Sequence, residues 1–195
     1  MNTWFERLLR YVYNVLFYAA IPIILCRLLW RSRDNVQYRK RWSERFGYVA
    51  VDKKWQQGLW IHAVSVGEVV AATPLIKNIR KKYPTLAITL TTMTITGSQR
   101  VQHIFGDEVL HYYVPYDMIN TVKRFLIRVK PQAVILLETE LWPNIMATCQ
   151  AKKIPVMLAN ARLSERSVKD YRFIAALTRP MVRHISVLAA HADAD

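Results

Sequence analysis

Glu68, in the stretch "IHAVSVGEVVAATPL" (61–75), is a lone carboxylate at the point where an apolar run gives way to a helical pattern. Ser65 and Glu68 form an S-x-x-E capping box, with the serine as N-cap and the glutamate at the third helical position. A chemical role competes with that local one: a carboxylate placed here can also act as a general base that removes a proton from a bound substrate. A helix N-terminus stabilises the anion by only about 0.3 to 1 kcal/mol, less than about one pKa unit, so burial in a cleft would offset it. Gly67 lets a ligand approach the backbone at some cost in helix propensity. Pro74 would sit inside the helix so capped, where it removes a hydrogen bond and bends the axis.

Three further stretches carry polar groups of the same kind. In "LLETELWPN", Glu138 and Glu140 alternate with Thr139, so on extended backbone both carboxylates point to one side. Paired carboxylates repel and call for a cation or donors, and Arg162, in "ANARLSERS" with Asn160, is a candidate partner; the alternative is that Thr139 or Glu140 starts the helix that Pro143 continues. "TITGSQR" reads as a T-x-x-Q capping box from Thr96 to Gln99, and Thr96, Gly97 and Ser98 would equally hold a phosphate at a helix N-terminus. His62 reads as a core or cleft-edge histidine. His103, His111, His184 and His191 show no metal-ligand spacing, and Cys26 and Cys149 form neither a C-x-x-C motif nor a Cys/His set, so no metal is expected.

The elements that must position these groups are legible as alternation. Apolar runs at 59–64, 86–93, 109–114, 133–138, 156–161 and 185–190 are strand candidates, and helix candidates start near Ser65, Thr96, Met118, Leu141 and Ser164. Near-continuous apolar strands separated by helices predict an α/β fold, a Rossmann-like parallel sheet covered on both faces. In such a sheet ligands bind beyond the carboxyl ends of the strands. The stretches named above all lie at those ends, whereas "KKYPT" and "RVKPQ" at the opposite edge are ordinary turns. The chain has five glycines and neither G-x-G-x-x-G nor G-x-x-x-x-G-K-[ST], so the usual dinucleotide and P-loop cradles are absent.

Ahead of this domain, Tyr11 to Cys26 carries no charge. Sixteen helical residues reach roughly 24 Å, short of a hydrocarbon core of about 30 Å unless the flanking leucines contribute and Arg27 snorkels. A marginal span or a deeply seated interfacial helix fits, with Trp4, Tyr11, Tyr13, Tyr18 and Trp30 as interface aromatics. The next stretch, with Arg27, Arg31, Arg33, Arg39, Lys40, Arg41 and Arg45 against Asp34 and Glu44, predicts a cytoplasmic side and an anionic lipid surface. The organisation expected is a membrane-anchoring helix over 1–30, a basic juxtamembrane segment over 31–57 and a Rossmann-like domain over 58–195. The net charge of +14 fits anionic partners, and 52% hydrophobic content excludes a disordered tail. No nucleic-acid-binding motif occurs, so nucleic acid is not an expected partner.

"HAVSVGEVVAATPLI", "TTMTITGSQRV", "VPYD", "LLETELWPN" and "ANARLSERS", in this order behind "YRKRWSERFG", resemble the bacterial Kdo transferases. That resemblance implies the N-terminal, acceptor-binding domain of a GT-B glycosyltransferase that moves 3-deoxy-D-manno-oct-2-ulosonic acid from CMP-Kdo to a lipid A precursor (lipid IVA) in lipopolysaccharide biosynthesis. It implies an inverting, metal-free transfer at the cytoplasmic face of the bacterial inner membrane, with Glu68 as general base and Glu140, with Glu138 beside it, in the active site. Ser65, Gly67, Thr96, Gly97, Ser98, Asn160 and Arg162 lie in the matching motifs as active-site or acceptor-binding candidates. No cofactor is implied beyond the donor CMP-Kdo. Members of that family continue into a second, donor-binding domain where this sequence ends at Asp195, so the expectation is an N-terminal fragment, inactive alone. Two other readings stay open: a non-catalytic, membrane-anchored Rossmann-like protein that binds an anionic lipid, and a polybasic membrane adaptor that would need only the first 50 residues.

Overall fold

Both faces of the sheet are covered, which is why the strand Ile88–Thr92 is buried at all five positions although three of them are threonine, and why the strand Ala133–Leu137 is apolar throughout. The computed structural model describes residues 3–33, 36–138, 140–161 and 175–190. Its strands are β1 (Leu59–His62), β2 (Ile88–Thr92), β3 (Leu110–Tyr113), β4 (Ala133–Leu137), β5 (Val156–Ala161) and β6 (Ile185–Ala190). All pair in parallel, in the order β3-β2-β1-β4-β5-β6. This is the doubly wound arrangement the alternation predicts. The helices are α1 (Thr3–Arg31), the single turn α2 (Trp42–Arg45), α3 (Val66–Lys82), α4 (Ile95–Phe105), α5 (Ile119–Val129), α6 (Pro143–Ala151) and α7 (Ala175–Arg183). The helix expected from Ser164 starts outside the described residues.

Successive strand residues face opposite layers. Ile61, Leu90 and Ile135 pack with Val69, Ala72 and Ile76 of α3 and with Val101 and Phe105 of α4. Trp60, Leu136 and Leu158 pack with Phe125 of α5, Met146 of α6 and Met181 of α7. Helix α3 therefore covers one face and α6 the other. Pro74 lies on the exposed side of α3, and the helix runs through it to Lys82.

The segment before β1 is stitched to this body. Val49 joins the core, the Tyr112 hydroxyl donates to Ala50 O, and Tyr116 N donates to Arg45 O at 2.7 Å. Gly47 has φ +77, and a Cβ there would lie 2.3 Å from Thr121 O in the first turn of α5. Only glycine fits both the left-handed backbone and that approach.

Asp117, in the loop between β3 and α5, is the polar centre of the structure. Its Oδ2 accepts from Asn144 N at 2.9 Å and its Oδ1 from Ile145 N at 2.9 Å, so it satisfies the first turn of α6 in place of an N-cap side chain. The same Oδ2 accepts from the Tyr13 hydroxyl of α1 at 3.0 Å. Burial raises its pKa to about 6, against the pull of the Asn144, Ile145 and Tyr13 bonds. A carboxyl whose folded pKa exceeds its usual 3.8 contributes stability that is full below that value and lost as pH rises through about 6. Asp117→Asn sets an amide NH2 against a backbone N–H, so its expected cost is about 1–3 kcal/mol. Denaturant melts at a series of pH values should also show that the wild type loses stability between pH 4 and 6 relative to this variant. Parallel curves would mean that Asp117 does not titrate in that window.

Candidate functional site

The turn after β1 is built by two reciprocal bonds. Ser65, extended at φ −121 and ψ 173, caps α3 by accepting from Glu68 N at 3.4 Å. The Glu68 side chain reaches back and its Oε2 accepts from Val64 N at 2.8 Å. The expected capping box is present, but its return bond goes one residue upstream, to Val64 rather than Ser65. Glu68 is 5% exposed. Its second oxygen, Oε1, has no hydrogen-bond partner among the described residues, so the carboxylate keeps one acceptor free after the cap is made.

Burial raises the Glu68 pKa above the ordinary carboxylate value; the Val64 and Ser65 bonds oppose this, and the charges of Glu140 and Glu138 add to it. Glu140, half-buried, is also raised, first by burial and with a contribution from Glu138, while Trp142 Nε1 donates to its Oε2 at 3.1 Å and lowers it. Three carboxylates from the ends of two neighbouring strands thus share one electrostatic neighbourhood. Glu138 and Glu140 do not reach it by strand alternation: β4 ends at Leu137, and Glu138 is left-handed at φ 57 with its N–H on Ala159 O at 2.9 Å. The backbone turns at Glu138, and the turn rather than the pleat sets the two side chains.

Gly67 is exposed at the second position of α3, with φ outside the left-handed region, and a Cβ there would meet only Ser65 Oγ, at 3.8 Å. Nothing among the described residues requires glycine at this position. The space a side chain would fill lies one residue before Glu68, over the same edge.

At β2, the cap is Thr94 rather than Thr96: Thr94 Oγ1 accepts from Gly97 N at 3.0 Å, and Thr96 stands exposed in the first turn with its hydroxyl 3.4 Å from Thr94 Oγ1. Gly97 is buried, and a Cβ would fall 2.9 Å from Thr94 Oγ1 and 3.3 Å from Thr92 Cβ. Ser98 Oγ accepts from Arg41 Nη1 at 3.1 Å. Arg41 also bonds Glu44 at 2.6 Å and His111 O at 2.8 Å, and Arg45 donates to Met93 O at 2.9 Å while stacking 4.2 Å from the Tyr113 ring centre. Two of the seven basic residues thus fasten the basic segment to the ligand edge of β2 and β3. Asn160, at φ 55, sits at a register shift between β5 and β6 on the same edge. Arg162 lies outside the described residues.

His62 is fully buried. Its Nδ1 lies 3.0 Å from Thr91 Oγ1, burial lowers its pKa to about 4, and its Nε2 has no partner among the described residues. It is neutral near pH 7 and belongs to the core. Among the described residues no group of three or more His, Cys, Asp or Glu side chains is placed to hold a metal ion. The sequence reading gave Asp117 no role; the available signal was its position in "VPYD", a charge directly after a run of buried residues.

A family model described as 3-Deoxy-D-manno-octulosonic-acid transferase (kdotransferase) matches residues 40–195. A 3-deoxy-D-manno-octulosonic acid transferase of Haemophilus influenzae is 44% identical over 182 residues, 93% of this chain and 43% of that protein. A probable mitochondrial 3-deoxy-D-manno-octulosonic acid transferase of Arabidopsis thaliana is 35% identical, over 88% of this chain and 38% of its own length. One from Bordetella pertussis is 32% identical, over 95% and 45%. The chain spans less than half the length of these relatives.

Gly67→Ala separates fold from site. With no clash and ordinary helical backbone, the substitution should stabilise the chain by about 0.4–1 kcal/mol. In a full-length protein carrying this domain it should nevertheless raise the KM for the acceptor or lower kcat, read by steady-state kinetics. A stabilised variant with unchanged kinetics would show that no ligand uses the space.

Proposed function

This chain belongs to the 3-deoxy-D-manno-octulosonic acid (Kdo) transferase family, glycosyltransferases of lipopolysaccharide biosynthesis, and we propose on that premise that it is the acceptor-binding half of an inverting enzyme in which Glu68 is the general base. Its fold is the Rossmann-like N-terminal domain of a GT-B transferase. The donor in this reading is CMP-Kdo and the acceptor a lipid A precursor, lipid IVA. Glu68 Oε1 takes the proton of a sugar hydroxyl, that oxygen bonds to the anomeric carbon of Kdo, and the bond from that carbon to the CMP phosphate oxygen breaks, releasing CMP. The reading requires no metal ion and no cofactor.

The observation that carries this reading is Glu68 itself: a nearly buried carboxylate on the ligand edge, fixed through one oxygen and open at the other, made more basic by burial and by Glu140 and Glu138. A base whose pKa moves up toward the working pH is more effective. Gly67 clears the approach, and Thr96, Ser98 and Asn160, with Arg162, lie in the right stretches to contact the acceptor. The apolar α1 and the basic residues after it keep the domain at an anionic membrane surface, which we take to be the cytoplasmic face of the bacterial inner membrane; each basic residue near such a surface adds about 1 kcal/mol. A non-catalytic protein binding an anionic lipid would share this anchor and sheet but would show no CMP release when joined to a donor-binding domain.

Glu68→Gln tests the reading. General-base assistance is worth about 10² to 10⁴ in rate, so transfer by a full-length protein carrying this substitution should fall by that factor, while lipid IVA binding persists. Because the folded pKa is raised, the ionised carboxylate weakens the fold, and the variant should be at least as stable as the wild type at pH 7. Its advantage should shrink as pH falls toward 4.5, the ordinary carboxylate value, and be absent below it. A variant that is less stable yet transfers at the wild-type rate would reduce Glu68 to a cap.

A further inference from the structure

Resting on the membrane reading above, we infer that α1 lies in the plane of an anionic bilayer surface, docked side-on to the domain, and does not cross the hydrocarbon core. By length and composition alone Trp4–Arg31 is able to span a membrane. Its packing decides otherwise. Leu9, Tyr13, Phe17, Ala20, Ile24 and Leu28 are half-buried at steps of three or four, which is one continuous face of the helix. From Leu9 to Leu28 that face runs about 28 Å, nearly the thickness of a hydrocarbon core of about 30 Å. One face of the helix thus rests against protein over that distance while most of the rest is exposed, and a helix tethered side-on in this way is not free to insert end-on.

Two polar pins hold this face. The Tyr13 hydroxyl bonds Asp117 Oδ2, and Asn14 Oδ1 accepts from Asn144 Nδ2 at 2.7 Å. Further along, α1 runs beside α7, and Arg31 stacks 5.3 Å from the ring centre of Tyr38. Tyr13 and Asn14 lie about 15 Å from Trp4 along the axis. In a spanning helix they would sit at mid-membrane: keeping these bonds would draw Asp117, Asn144 and the start of α6 into hydrocarbon, and breaking them would leave Tyr13 and Asn14 there unsatisfied, at several kcal/mol for each group.

The outward face has the composition of a surface helix. Tyr11, Leu16, Ile23 and Trp30 are 67%, 65%, 71% and 69% exposed, which would be an unfavourable face in water and is a suitable one against acyl chains. Exposed Arg7 and Arg10 stand near one end, and Arg27 and Arg31 near the other. Cationic groups at both ends suit a single anionic leaflet; a spanning helix keeps its excess on one side. The pins lie at the N-terminus of α6 and in the loop after β3, both at the carboxyl edge of the sheet. An in-plane α1 therefore brings the edge that carries Glu68 and Glu140 to the lipid surface, where a lipid-borne sugar can enter without leaving its leaflet.

The test is accessibility of the two ends. In a Cys26→Ser background, with Cys149 buried, Arg7→Cys and Arg27→Cys are made separately in the full chain. Inverted and right-side-out membrane vesicles are then treated with a membrane-impermeant maleimide. Both positions should label in inverted vesicles and neither in right-side-out ones. Labelling from opposite sides, or at neither position until detergent is added, would overturn the in-plane placement while leaving the membrane reading intact. Recovery of the protein in the soluble fraction would overturn both.

Discussion

The pairing of β1 with β4 is the contact on which the rest of the structure depends. Leu59 through His62 lie in register with Ala133 through Leu136, more than seventy residues later in the chain, and the strands between them have gone to the other side of β1. Because the strand order reverses direction here, α3 leaves β1 toward one face and α6 follows β4 onto the other. The two connections diverge, and in an open α/β sheet it is outside the carboxyl ends at such a point that a ligand crevice forms. Glu68 follows the end of β1, and Glu138 and Glu140 follow the end of β4. Their proximity follows from the topology, and burial together with like charge raises the pKa of Glu68 and Glu140.

Asp117 shows the opposite use of a buried carboxylate. It accepts three hydrogen bonds and still has a raised pKa, so desolvation outweighs the donors. What the group supplies is position. One side chain ties the loop after β3, the first turn of α6 and α1 together, and the segment entering α6 carries Glu140 through its bond from Trp142. The orientation of α1 and the shape of the crevice wall therefore share a support. A change that frees α1 reaches Glu140 through a single intermediary.

The sheet was legible because an apolar run buried on both faces needs no partner to be recognised, and all six strands fall within the expected spans. The expected carboxyl ends match those of β5 and β6 and run one or two residues past those of β1 to β4, through Ala63 and Val64, Met93, Val114 and Glu138; Ala63, Met93 and Val114 still donate to neighbouring strands or their exits. At Glu138 the backbone becomes left-handed, which the alternation of ETE does not reveal. The cap of α4 was misplaced by two residues for a related reason. Thr92, Thr94 and Thr96 are equivalent in sequence, and the choice is made by tertiary bonding: Met93 N still donates to Val64 O in the ladder, so Thr94 is the first residue free to cap. The Asp117 cluster was beyond reach, since Tyr13 and Asp117 are 104 positions apart and Asn14 and Asn144 130. Neither periodicity nor local motif registers such a pair.

The cap and the proposed base role of Glu68 are compatible, because they would use different oxygens. A conventional capping box uses the carboxylate to satisfy the N–H of the N-cap residue; here Oε2 bonds Val64, just before Ser65, and Oε1 has no partner among the described residues. The bond to Val64 holds the side chain in place, which in the proposed reaction would lower the cost of ordering the base. It also lowers the pKa, and taken alone would make a poorer base. Burial together with Glu140 and Glu138 outweighs that effect. The cap supplies the geometry and the crevice supplies the basicity, so the glutamate needs both the local S-x-x-E pattern and the distant strand that brings the second pair of carboxylates beside it.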